Sequence, residues 1–219
     1  MGHWSEETAD IRLPKSAVPA VKRSLRESHN LVREAALTRA KEIHRGVRTT
    51  SKSAFDREMT ERYSDGSRRF PWSSGAIVIP AHLRHHEPAS VDDAAQGLAH
   101  HILRQAYLRA KTSVPVPTQA DVEAVFPRAT VRTTEFPILG DHCADAEVTI
   151  SEDGILHWER LSERAHSVME TGMARVLWRA LDEVKWTRGT GGEVLHQSEH
   201  SVEAFAGPSV VRTYGKQAA

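Results

Sequence analysis

Apolar residues recur at positions 18, 21, 25, 32, 36, 40, 43 and 47. At 100° per residue they fall within roughly a 100° stripe, which predicts an amphipathic helix of about 30 residues, near 45 Å long. Ser16 reads as its N-cap, and Pro19 falls in the first turn, where a missing N–H costs little. Leu31 and Leu37 lie off the stripe, so the helix is expected to touch more than one neighbour. Its length exceeds the usual mean of about 11 or 12 residues, which favours a packing or assembly element over a compact core helix. The twelve residues ahead of it read as a flexible lead.

Beyond Val47 the pattern breaks. Residues 49–75 are polar and punctuated by Gly and Pro, a linker with one helical turn around Phe55 to Tyr63. Ala76–Ile79 is a short buried-strand candidate ended by Pro80. Ser90 followed by Asp93 resembles a capping box and opens a predicted helix over Val91–Lys111, with Ala94, Ala95, Leu98, Ile102, Leu103 and Ala106 on one face. Val114-Pro-Val-Pro117 is a stiff connector, and Thr118 with Asp121 repeats the capping pattern for a short helix ending before Pro127.

The period then changes. Thr130–Ile138, Ala146–Ser151 and Ile155–Leu161 read as strands, the last two joined by a hairpin turn at Glu152-Asp153-Gly154. Ser162 reads as the cap of a helix reaching about Val184, with Gly172 on its apolar face, where Gly implies close approach of another backbone. Arg188–Gly192 reads as a loop and Ser209–Tyr214 as a last strand. The expected class is α+β: a long N-terminal amphipathic helix, central helices, then a small, mostly antiparallel sheet with a C-terminal helix packed on it. The expected division is a basic helical arm and linker over 1–75 and an α+β domain over 76–219.

Composition adds little until charge is located. The 219 residues hold 29 Lys plus Arg against 29 Asp plus Glu. Mean hydropathy is −0.47, ordinary for a globular chain. The zero is a cancellation. Arg12 to Lys52 carries 11 basic and three acidic residues, and Asp121 to Glu203 carries eight basic and 16 acidic, so the two stretches hold +8 and −8. Lys22, Arg23, Arg26, Arg33, Lys41, Arg45 and Arg48 lie mostly along one flank of the first helix. Such asymmetry suggests a basic element that meets an anion: nucleic acid, a neighbouring subunit or the chain's own acidic half.

No window approaches 18 consecutive apolar residues, so no membrane span or membrane partner is expected. The N-terminus lacks a basic region followed by an apolar core, so the expectation is intracellular synthesis, with later incorporation into a larger particle. Cys143 stands alone, which excludes an internal disulfide and a multi-cysteine zinc site.

The sharpest chemical motif is His196-Gln-Ser-Glu199-His200, which matches H-x-x-E-H. That chemistry requires a helix, so that two imidazoles one turn apart meet one zinc and the Glu stands beside its water. Residues 193–205 permit one, with Val194, Ser198, Val202 and Phe205 on a common face, but only 19 residues follow His200 to supply a third ligand. The bland alternative is a polar segment that matches by chance. His82, His85 and His86 read as a solvated loop, and His100 and His101 as helix residues flanking a core. Asp141-His142-Cys143 with Asp145 places a thiol beside acids that disfavour the thiolate. Glu183-Val184-Lys185 ends a helix, whereas nuclease sites want that fragment on a strand, and Arg188–Gly192 lacks the ending of a P-loop.

No complete catalytic set and no cofactor motif emerges. The expected function is therefore a non-enzymatic assembly or interaction protein, a component of a virion-like or other multi-subunit assembly, docking its basic helix on an acidic surface of another copy or another protein. The alternatives are nucleic-acid binding through the same helix, and a small zinc-dependent hydrolase built on His196, Glu199 and His200.

Overall fold

The computed structural model describes residues 3–47, 51–55, 57, 77–138, 146–163, 168–183, 193–203 and 210–213. Strand β1 (His3–Arg12) is followed by helix α1 (Val18–Gly46) and a 3-10 turn at Ala81–Leu83. Helices α2 (Pro88–Arg109) and α3 (Gln119–Val125) come next. Strands β2 (Glu135–Ile138), β3 (Ala146–Ile150) and β4 (Ile155–Glu163) precede helix α4 (Val168–Glu183). Strands β5 (Glu193–Glu203) and β6 (Val210–Thr213) complete the order. The class is α+β, as the change of period implies.

The six strands form one antiparallel sheet in the order β2-β3-β4-β1-β5-β6. The N-terminal residues are therefore not a flexible lead. They form a central strand, with Trp4–Arg12 paired to Glu163–Ile155 on one side and His3–Arg12 paired to Glu203–Glu193 on the other. Its sequence conceals this, because Glu, Ala and Asp carry little strand propensity and the segment shows no apolar alternation. Pairing on both edges supplies what local preference does not. β1 is paired with strands from the C-terminal half, and α1 packs mainly on α2 and α4.

Leu13, buried behind β1, donates its backbone N–H to Gly154 O at 2.9 Å and ties the start of α1 to the β3–β4 hairpin. Gly154 has φ +81°, and a Cβ there would approach Val18 Cγ2 at 3.2 Å, so turn and packing both ask for glycine. α1 begins two residues after Ser16, with Ala17 at the cap position and no side-chain cap bond. Its buried positions span roughly 200° of the helix surface at 100° per residue, twice the apolar stripe. The buried arc includes polar residues. Ser24 Oγ donates to Ala180 O at 3.0 Å, Ser28 Oγ lies 2.6 Å from His86 Nε2, and His29 stacks on Phe126 with centroids 4.0 Å apart. α1 is thus a core helix, and its length serves three neighbours rather than a protruding arm.

α2 starts at Pro88, whose fixed φ suits a first helical position, so Ser90 lies inside the helix and is buried instead of capping it. The capping box at Thr118 and Asp121 does form. Thr118 N–H donates to Asp121 Oδ2 at 2.7 Å, and Arg109 donates to both Asp121 oxygens at 3.0 and 2.7 Å. Residues 77–80 are not a strand, and Val78 is 86% exposed. Of the linker, residues 52–55 are helical and bury Phe55, and Ser51 pairs with Ser113 in an isolated bridge. β2 begins only at Glu135, since Thr133 turns back to Thr130 O. β4 runs on through Ser162, held by β1, so Ser162 is a strand residue and α4 starts at Val168.

Burial alternates along the sheet. Phe136, Ile138, Val148, Ile150, Leu156, Trp158 and Ile11 are buried with the helices, and Trp158 meets Trp178 of α4 edge to face at 5.8 Å. Glu135, Pro137, Glu147 and Glu159 are exposed, and Thr149, Ile155 and His157 half-buried. Among the described residues the helices pack on one face of the sheet and none packs on the other.

The buried histidines predict an acid limit to stability. Burial, then the Arg33 charge, lowers His29 to about 3, and burial, then His85, lowers His86 to about 4. Both are neutral when folded, while the unfolded chain takes up protons below about pH 6.5. Stability is therefore lost as pH falls below that value, by roughly 2 kcal/mol per group at pH 5. His100, lowered first by burial, acts in the same direction. Urea unfolding at pH 7 and pH 5 is expected to show this drop, and His29→Gln and His86→Gln each to reduce it.

Candidate functional site

The structure sorts the cations of α1 into two groups. Arg33, 2% exposed, pairs with Glu123 of α3. Arg39 is also buried, with Nη1 2.7 Å from Glu42 and Nη2 3.0 Å from Asp92 of α2. These guanidiniums are partnered within the chain, as burial demands of a charge. Arg33 therefore does not belong to the outward basic face on which the stripe had placed it. Arg23 and Arg45 are exposed, and Lys22, Arg26 and Lys41 half-buried. None of these five forms an ion pair among the described residues. Arg48 lies outside the described residues.

The H-x-x-E-H segment is on β5, a strand and not a helix. Four residues along a strand separate backbone positions by roughly 13 Å, whereas one metal needs both imidazoles within about 2 Å of it. The helical geometry that the zinc reading requires is absent. Pairing with both neighbours decides this: His196 stands opposite Asp10 and His200 opposite Glu6 of β1, and His200 also pairs with Val211.

Register brings together residues that the sequence does not nominate. One row across the open face runs Glu135, Thr149, His157, Asp10, and the adjacent row runs Pro137, Glu147, Glu159, Thr8. His157 Nδ1 lies 2.6 Å from Asp10 Oδ1, and its Nε2 lies 3.5 Å from Glu159 Oε2. The hydrogen bond to Asp10 holds His157 above its ordinary pKa, with Glu159 adding in the same direction. Both ring nitrogens thus face carboxylates, and among the described residues no group of His, Cys, Asp and Glu is arranged to hold a metal. Glu147 stands directly opposite Glu159, a like-charge cross-strand pair that is unfavourable on its own. The signal for this patch was the polar alternation of His157 and Glu159 around Leu156 and Trp158. Asp10 was hidden in the stretch read as a lead.

Ser28 and His86 make a hydroxyl–imidazole pair, but they are 0% and 3% exposed, so a substrate has no approach to them. His82 is exposed, and His85 packs on His86 with centroids 4.1 Å apart. A groove of about 300 Å³ lies between α1 and residues 77–80, lined by Leu31, Glu34, Thr38, Glu42, Ile77 and Val78 among others. Asp141, His142, Cys143, Asp145, Lys185 and Arg188–Gly192 lie outside the described residues. Among the described residues no helix is long and apolar enough to cross a membrane.

The Asp10–His157 pair is directly testable. The His157 imidazole is expected to titrate above 6.5 by NMR, and Asp10→Asn to bring it down towards that value; an unchanged midpoint would show that Asp10 does not set it. Comparison with protein-family models, with curated proteins and with solved structures gave no match.

Proposed function

We propose that the protein is a non-enzymatic interaction and assembly protein that presents the outward flank of α1 to an acidic partner surface. The observation supporting this is the sorting of its cations. Arg33 and Arg39 are consumed by Glu123, Glu42 and Asp92, whereas Arg23 and Arg45 are exposed and Lys22, Arg26 and Lys41 half-buried, all five without an ion pair among the described residues. From Lys22 to Arg45 the flank extends roughly 35 Å at 1.5 Å per residue, enough to meet a partner along several turns. Exposed charges of one sign steer association and fix its orientation more than they add to affinity. The flank carries no aromatic residue for stacking bases, which disfavours nucleic acid as the partner.

The test is the absolute mass of the full chain by light scattering, after nuclease treatment, at low and at high salt. Salt-sensitive mass gain is expected, because surface attraction weakens beyond a Debye length of about 10 Å at 0.1 M. The triple variant Arg23→Glu, Arg26→Glu, Lys41→Glu is expected to remain monomeric at both. Arg33 is excluded from it, because removing one partner of a buried pair destabilises the fold by about 3–5 kcal/mol. Mass gain that persists unchanged in the variant refutes the reading, and gain that appears only with nucleic acid transfers the basic flank to that partner.

A further inference from the structure

We infer that the acidic open face of the sheet, centred on Glu147, Glu159 and the Asp10–His157 pair, is the surface on which α1 of a second copy of this chain docks. The inference rests on the reading of α1 given above and names its partner.

Three observations carry it. First, the acids are concentrated on the face that no helix covers among the described residues. Glu147 and Glu159 are exposed and directly opposite, with Glu135 and Asp10 in the adjacent row and Arg12 beyond Asp10 on β1. A like-charge pair with exposed carboxylates is relieved by bringing cations to it, so the patch is improved by an occupant of the opposite sign. Second, the spacing fits α1. Arg23 and Arg26 are about 4.5 Å apart along the helix axis and roughly 60° apart around it. Neighbouring strands, and hence Glu147 and Glu159, are about 4.8 Å apart. Third, the chain cannot satisfy the patch with its own helix. α1 belongs to the layer that buries Val148, Leu156 and Trp158, while Glu147, His157 and Glu159 occupy the intervening positions facing the other way. Among the described residues the +8 and −8 stretches meet within one molecule at Arg33–Glu123, and the exposed Arg23 and half-buried Arg26 are complementary in sign to Glu147 and Glu159 of another copy.

Such a contact joins two different surfaces of the same chain. It is heterologous, and repetition gives a ring if the rotation closes and a filament if it does not. Each copy then offers one basic helix flank and one acidic sheet face, and a chain of copies has one of each left at its ends.

The experiment uses two full-length variants. Arg23→Glu/Arg26→Glu reverses the helix flank, and Glu147→Lys/Glu159→Lys reverses the sheet face at exposed positions. Each alone is expected to stay monomeric at a low salt where the unaltered chain gains mass. Mixed in equal amounts they are expected to regain association, since each variant then meets opposite charge on the other, intact flank with intact face and reversed flank with reversed face. A third variant, Glu147→Gln/Glu159→Gln, removes charge without adding any. It is expected to raise the association Kd at least tenfold while leaving the urea midpoint of the monomer near that of the unaltered chain. If both sheet variants associate as the unaltered chain does while the helix variant does not, the inference is wrong and the basic flank docks elsewhere. A mixture that stays monomeric overturns it equally. If the helix variant also associates normally, the reading of α1 falls with it.

Discussion

The fold depends on β1 being paired on both edges. Without it, β2-β3-β4 and β5-β6 would be two separate ribbons, since among the described residues no other strand joins β4 to β5. The same strand leads through Leu13 into α1, so the backbone bond from Leu13 to Gly154 sets where the long helix enters the helix layer. A strand of ten residues contributed by the N-terminus to the middle of a sheet ties the two ends of the sequence together. Such long-range pairing must overcome loop-closure entropy before it is rewarded by neighbouring contacts.

The second constraint is the polar half of the buried arc of α1. Ser24, Ser28, His29, Arg33 and Arg39 enter the core only because α2, α3, α4 and their connections supply partners to most of them. Ion pairs of this kind are weak sources of net stability, since desolvation offsets much of the attraction. They do make alternative rotations of the helix unfavourable, because any other rotation would bury a guanidinium away from its carboxylate. His29 and His86 meet the same restriction by staying neutral, which is why the core is sensitive to acid.

These two constraints also distribute the charge. The buried cations Arg33 and Arg39 are spent on internal pairs, while the exposed Arg23 and Arg45 form none among the described residues. Acids at one parity of β3 and β4 collect on the sheet face that no helix covers among the described residues. The overall zero thus conceals a molecule with a basic helix flank on one layer and an acidic face on the other.

Local pattern was enough for the helices, the β3–β4 hairpin and the capping box at Thr118 and Asp121, because each is stabilised by residues a few positions apart. The positive φ of Gly154 and the bond from Thr118 N–H to Asp121 are of this kind. The separation of basic and acidic stretches was legible as well, since charge is a property of composition along the chain. What only the tertiary structure decided is which partner each polar residue meets. β1 has no apolar alternation and became a central strand through neighbours about 150 and 190 residues away in sequence. The segment around His196 and Glu199 had the spacing of a helical zinc motif and became a strand, because β1 and β6 offered it hydrogen bonds on both sides. Arg33 looked like its neighbours on the basic flank until Glu123 was placed beside it. Asp10, Glu147, His157 and Glu159 come from three separate strands, and no spacing in the sequence announces a cluster assembled by register alone.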